Sequence, residues 1–387
     1  MTAVAAAGLV LGGCGGGPVA QDSSPAGDAG AVGTRAGIAG VATGAVRPPP
    51  RVGKDLTVAQ IAGQRIVASF RGPRPPRRLL RAIARGEVAG VVLFGDNAAT
   101  VQQARQVSRA LQRAAAEWRS QTPLFVMIDQ EGGLIRRLRD APPARSAAQL
   151  GAAGPGAARR AGRATGQELR RAGVNVNLAP VADLATRSGA IAAYERAFSA
   201  APAAAGQRAA AFADGLRSAR VLATAKHFPG LGRATANTDD ASVVIRVPLP
   251  VLGRRDLVPF RQLAKRSDLV MLSSAVYPAI DPVRPAVLAP EVVRMARDSG
   301  FSGLVITDDL EATGLEAYGN PSEVSRRAAT AGADLLMFAK RRPEIAFDAG
   351  RRLRSWLARS PRRLAEARLV AGRILVARQR LRDVGQG

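Results

Sequence analysis

Val221-Leu222-Ala223-Thr224-Ala225-Lys226-His227-Phe228-Pro229-Gly230 is the stretch on which the reading of this chain turns. Residues 221–225 form a near-continuous apolar run, and it ends in a lysine and in the only histidine of 387 residues. A short apolar run closed by a Pro-Gly turn signal predicts a strand buried on both faces, as in a parallel sheet. Polar groups gathered at the end of such a strand are what a barrel enzyme places on its catalytic rim. A lone Lys-His pair also fits a structural histidine at a strand end, so the rest of the chain has to decide.

The same pattern recurs on both sides. Apolar runs lie at residues 65–70, 90–94, 124–129 and 174–180 before it, and at 268–273, 303–308 and 334–338 after it. Between them lie Ala/Arg-rich stretches of helical period, for example 101–119, 156–171, 203–217 and 321–331. Eight strands alternating with helices predict an α/β chain folded as a single (β/α)8 barrel, with helices over 345–358 and 361–382 completing the outer ring. A doubly wound open sheet is the competing arrangement, but no Gly-rich phosphate fingerprint follows the first strands. Asp129, Lys226 with His227, and Asp308 each close a run, which puts them on the C-terminal rim.

Composition narrows the classes. A hydrophobic share of 47% supports a sizeable core and excludes a disordered chain. The net charge is +26, but only Lys54, Lys226, Lys265 and Lys340 are lysines. The excess is therefore arginine dispersed among alanine and glycine, and aromatic residues make up 4% with no basic/aromatic alternation. Nucleic acid is not the expected partner; an anionic polymer such as cell wall is compatible with the charge. One cysteine and one histidine exclude a zinc site built from those ligands, and no metal or cofactor is expected.

Residues 3–11 are a short apolar run, followed by Gly12-Gly13-Cys14. This predicts a lipoprotein signal over 1–14 with Cys14 lipidated, and a chain exported to the cell envelope and anchored on the outer face of a bacterial cytoplasmic membrane. No Lys or Arg precedes Cys14, which a start codon further upstream would explain. Residues 15–55, rich in Gly, Ala and Pro with Pro48-Pro49-Pro50 near the end, read as a flexible tether, and 56–387 as the barrel.

Five segments carry polar groups in order: Asp129-Gln130-Glu131-Gly132-Gly133, Asn175 to Asp183, Glu195-Arg196-Ala197-Phe198-Ser199, Lys226 to Gly230, and Thr307-Asp308-Asp309-Leu310. Together they resemble the family 3 glycoside hydrolases, in the single-domain branch of bacterial β-N-acetylglucosaminidases (β-N-acetylhexosaminidases) that recycle peptidoglycan. The resemblance implies retaining hydrolysis of terminal β-linked N-acetylglucosamine through a covalent glycosyl-enzyme. Asp308 matches the nucleophile of the branch's (S/T)-D-x-L motif. Asp129 matches the aspartate that accepts hydrogen bonds from sugar hydroxyls, and Arg137, Arg196, Lys226 and His227 match the basic residues lining the same pocket. A carbohydrate partner and a monomer are implied as well. Glu131 and Asp183 are assigned to bracing the rim, and Asp309 to capping the next helix.

One part of the pattern is missing. The branch carries its acid/base histidine in a D-S-H triplet after the Lys-His strand, and the matching residues here are Asn237-Thr238-Asp239. The second histidine of the branch's K-H-F-P-G-H-G is Leu231. Three readings stay open. Asp239, or Asp240 beside it, is the general acid, its pKa raised by the like charge of its neighbour. Or the loop carries no acid, and a partner or an anion such as phosphate completes turnover. Or the chain is a glycan-binding lipoprotein without catalysis. A β-glucosidase is a further enzymatic alternative, although those members draw their acid from a second domain. Asp308 as nucleophile with Asp239 as acid/base is the reading taken forward, since binding alone does not require a nucleophile.

Overall fold

The computed structural model describes residues 55–120 and 122–381. Cys14, the signal over 1–14 and the tether up to residue 54 lie outside the described residues.

Eight parallel strands form the centre: β1 (Ile66–Ala68), β2 (Gly90–Leu93), β3 (Phe125–Ile128), β4 (Val176–Asn177), β5 (Leu222–Phe228), β6 (Leu269–Leu272), β7 (Leu304–Thr307) and β8 (Leu336–Met337). Each but β5, which runs one residue past its run, lies within one of the eight apolar runs. Neighbours in sequence are neighbours in the sheet, and β8 pairs with β1. Between β7 and β8 a bridge joins Ile306 to Leu335, where the Thr307 N–H donates to the Leu335 carbonyl at 3.0 Å. The ring is closed, as expected for a (β/α)8 barrel.

The strands are apolar throughout because they have two dry faces. Val67, Val92, Phe125, Met127, Val176, Met271 and Ile306 fill the barrel interior. Their alternating neighbours Ile66, Val91, Val126, Ile128, Leu272 and Val305 pack outward under the helices. Helices Pro155–Arg171, Pro202–Ser218, Pro321–Ala331, Pro343–Ala358 and Pro361–Arg380 all begin on proline, whose fixed φ suits the first helical position and whose missing N–H costs nothing there. No described helix is long and apolar enough to cross a membrane.

The rim is elaborated after four strands. An antiparallel ribbon, Gln130–Gly132 against Ile135–Arg136, follows β3. A loop with a short helix, Ala190–Ala193, follows β4. A long loop carries Asp239 after β5, and a 3-10 segment, Thr313–Tyr318, follows β7. Within β5 the pairing with β6 slips between Ala225 and Phe228. Such a bulge re-aims side chains, and here the consecutive Lys226 and His227 both line the pocket at the mouth.

Candidate active site

A pocket of about 290 Å³ opens at the C-terminal ends of the strands. That is near the lower end of the range for ligand clefts, roughly 300–1,000 Å³, and suits one sugar ring better than several. All seven side chains taken from the sequence as site residues within the barrel line it: Asp129, Arg137, Arg196, Lys226, His227, Asp239 and Asp308.

Lys226 is the hub. Its Nζ lies 2.5 Å from Asp129 Oδ1 and 2.7 Å from Glu131 Oε1. Glu131 in turn receives a bidentate pair from Arg196, Nε at 2.8 Å and Nη2 at 2.9 Å. The fork of a guanidinium matches a carboxylate in this way, which fixes both planes. Burial alone would raise both carboxyls and lower the ammonium. The opposite charges win, so Asp129 and Glu131 are held below the usual carboxylate range and Lys226 above the usual lysine value. All three stay charged across any physiological pH. Glu131, expected only to brace the rim, is thus both a brace and a wall of the pocket.

Arg137 is less engaged. Its Nη2 is 3.9 Å from Asp129 Oδ2, its guanidinium lies 5.6 Å from the Phe94 ring centre, and its buried Nε has no partner among the described residues. A charged donor left free on a pocket wall is available to a ligand oxygen.

His227 is held from behind. Its Nδ1 is 2.7 Å from Asp183 Oδ2, and Asp183 also accepts from the His227 N–H at 3.2 Å and from the Leu231 N–H at 2.7 Å. Asp183 is fully buried and does brace the rim, as expected. The carboxylate favours the Nδ1–H tautomer and leaves Nε2 for the pocket.

Asp308 follows the last residue of β7, and its carboxylate meets no cation among the described residues; its Oδ1 accepts the Asp309 N–H at 2.9 Å. Asp309 turns away. Its Oδ1 accepts from Glu311 N–H at 3.0 Å and Ala339 N–H at 2.8 Å, tying the β7 and β8 loops together rather than capping a helix. Burial, only partly offset by those bonds and reinforced by Glu311 and Asp239, pushes its carboxyl up to about 7.

Asp239 comes from the loop after β5 and lies in the same pocket as Asp308. The Asp239 N–H donates to Asn237 Oδ1 at 3.2 Å, and the Thr313 N–H donates to the Asp239 carbonyl at 3.0 Å. Its carboxyl is pushed up to about 6, first by burial and then by Asp308, with the Asn237 bond and His227 working against them. The like charge of Asp240, expected from sequence to raise it, is the weakest of these causes. Asp240 is occupied by a bond from Asn237 Nδ2 at 3.1 Å.

Sequence reasoning missed the seat of this loop. Gly314 approaches so closely that a Cβ there would lie 2.7 Å from the Ala241 carbonyl oxygen and 2.8 Å from that of Thr238. A glycine just past the Thr-Asp-Asp-Leu segment was the available signal.

The chain is similar to known proteins over most of its length. Residues 55–354 match the model described as the glycosyl hydrolase family 3 N-terminal domain. An uncharacterized secreted glycosyl hydrolase of Arthroderma benhamiae is 34% identical, the match covering 76% of this chain and 84% of that protein. A beta-hexosaminidase of Stenotrophomonas maltophilia is also 34% identical, covering 68% of this chain and 78% of the relative. Among solved structures, a beta-N-acetylhexosaminidase from Beutenbergia cavernae superposes with a TM-score of 0.78 at 31% identity, over 84% of this chain and 99% of that one.

Proposed function

Because the chain belongs to glycosyl hydrolase family 3 and is a glycosyl hydrolase, we propose that it removes terminal β-linked N-acetylglucosamine by a retaining mechanism with Asp308 as nucleophile and Asp239 as acid/base. The observation that carries the reading is that one pocket holds Asp308, on a strand end, together with Asp239, whose carboxyl is pushed up to about 6. A carboxyl that keeps its proton to higher pH is what a glycosidase needs as its general acid.

In the first step the Asp308 oxygen bonds to the anomeric carbon as the glycosidic C–O bond breaks, and Asp239 gives its proton to the departing oxygen. In the second, water attacks the glycosyl-Asp308 ester, Asp239 takes a proton from it, and Asp308 leaves as carboxylate. Asp129 accepts from sugar hydroxyls, Lys226, Arg196 and Arg137 donate to them, and His227 Nε2 accepts from one. Charged donors and acceptors of fixed direction reject sugars that lack the matching hydroxyl. The identified hexosaminidases among the relatives support N-acetylglucosamine as the sugar. Peptidoglycan fragments as the natural glycan, and lipid anchoring through Cys14, belong to the same proposal and rest on the sequence alone; Cys14→Ser should release the protein from the membrane fraction.

The test is hydrolysis of an aryl β-N-acetylglucosaminide. Asp308→Ala should abolish turnover, and Asp239→Ala should lower kcat by about 10²–10⁴-fold, the contribution of a general acid–base group. The pH profile of kcat/KM in the wild type should fall above about pH 6, where Asp239 loses its proton. A profile unmoved by Asp239→Asn, with activity retained, would remove Asp239 from the mechanism. N-acetylglucosamine binding without turnover would make the chain a binding protein.

A further inference from the structure

Tyr194 stands at the mouth of the pocket with 52% of its surface exposed. Large apolar side chains cost free energy when left in water, and a tyrosine at a pocket edge offers a flat apolar face with a polar tip. The backbone beneath it is fixed. The Tyr194 N–H donates to Ala190 O at 3.1 Å, Glu195 N–H to Ala192 O at 2.9 Å, and Arg196 N–H to Ile191 O at 3.0 Å. Glu195 follows with φ of 54°, in the left-handed region that a non-glycine residue seldom occupies. Outliers of this kind persist where surrounding structure enforces them, and they gather at ligand sites. This one turns the chain so that Arg196 reaches Glu131 on one side while Tyr194 stays at the entrance.

A second exposed apolar side chain sits on the ribbon joined to this turn. Leu134, 72% exposed, is at the turn of the ribbon that follows β3, and its neighbour Ile135 lines the pocket. The Glu131–Arg196 pair bolts that ribbon to the Tyr194 turn. Two of the most exposed apolar side chains among the described residues thus ride on the two segments this buried pair joins. Lys226, His227 and Glu131 are buried in the same pocket, whose volume admits a single sugar ring.

We propose that Tyr194 is the stacking platform for the sugar on the leaving-group side of the scissile bond. The proposal rests on the glycosidase reading above. A β-linked pyranose presents one face of axial C–H groups, which is apolar and flat enough to lie against an aromatic ring. With its backbone fixed, the ring gives contact at little entropic cost. The platform selects for a saccharide leaving group and contributes nothing to a free monosaccharide bound in the inner pocket.

Two quantities separate the possibilities: kcat/KM for the disaccharide N,N′-diacetylchitobiose, and the Kd of N-acetylglucosamine. In Tyr194→Ala the disaccharide kcat/KM should fall about tenfold more than monosaccharide affinity, the scale expected when an aromatic face is removed, and Tyr194→Phe should restore it. A fall in both quantities together would mean that the substitution only deforms the Arg196 turn, and would overturn the platform. An unchanged disaccharide kcat/KM in Tyr194→Ala would overturn it equally. A wild-type protein that hydrolyses neither the disaccharide nor an aryl β-N-acetylglucosaminide would instead refute the glycosidase reading, and the platform with it.

Discussion

Asp239 is where the residue scale carries the most consequence. Its carboxyl titrates near 6 in the folded chain against 3.8 for the free side chain, so the folded state holds the proton more tightly. The sign follows from linkage: below about pH 4 the group costs nothing, and stability falls as pH rises through 6, because the ionised form is disfavoured by burial and by Asp308. Asp239→Asn should therefore be more stable than wild type at pH 7, by at most about 3 kcal/mol for a gap of this size, and equal to it near pH 4. Thermal melts at the two pH values check this, and a variant less stable at pH 7 would contradict the placement of the carboxyl. Asp183 matters for its hydrogen bonds instead. It is buried and accepts from His227 Nδ1 and two backbone N–H groups, so Asp183→Ala should cost about 3–5 kcal/mol in a urea titration, as removal of one partner from a buried charged network does. Asp129, Lys226, His227 and Asp308 were legible because polar groups there close apolar runs. The environment of Asp239 was not: the charge that matters most comes from Asp308, 69 positions away in sequence, rather than from adjacent Asp240.

At the scale of elements, the barrel was legible for the reason that makes it stable. Each strand has one face in the barrel lumen and one under the helices, which writes a continuous apolar run into the sequence. The rim elements leave no such trace. The ribbon over Gln130–Arg136 is two and three residues to a strand, too short for alternation to register, and only Gly132-Gly133, with φ of 113° and 54°, mark its turn. The loop bearing Asp239 is shaped by its docking on Thr313–Tyr318, an interaction between segments about 75 residues apart that no local pattern encodes. That docking yields a prediction. Gly314→Ala would drive a methyl group into the carbonyls of Thr238 and Ala241, lifting Asp239 away from Asp308. We expect kcat to fall about 10²-fold, the scale of a misplaced catalytic group, with the high-pH limb of the rate profile moving below 6 as burial and the field of Asp308 relax. N-acetylglucosamine should still bind, since Lys226, Asp129 and Arg196 are untouched. Unchanged turnover would show that the loop finds its position without this seat.

At the scale of the whole molecule the barrel has two poles, and the second holds the ring shut. Asp334, wholly buried at the entry to β8, accepts from the Val305 N–H at 2.8 Å, from Arg297 Nη2 at 3.2 Å and from Arg373 Nη2 at 2.5 Å. Arg65, at the entry to β1, donates to the carbonyls of Ala329, Ala333 and Asp334. Arg373 belongs to the last helix, Pro361–Arg380, so this cluster ties the first strand, the last strand and the final helix together where the two ends of the barrel meet. It lies at the N-terminal ends of the strands, away from the pocket. In such barrels that face contributes to stability and the opposite face to chemistry. Asp334→Ala leaves Arg297 and Arg373 without their carboxylate partner in a dry site, and removing one partner of a buried ion cluster costs about 3–5 kcal/mol. The substitution should lower the urea midpoint by the corresponding amount. Measured well below that midpoint, kcat/KM on an aryl β-N-acetylglucosaminide and its pH dependence should match wild type, because no group in the pocket touches the cluster. A shifted pH profile in Asp334→Ala would mean that the two poles are coupled through the strands, and that closing the ring helps to set the Asp308–Asp239 geometry.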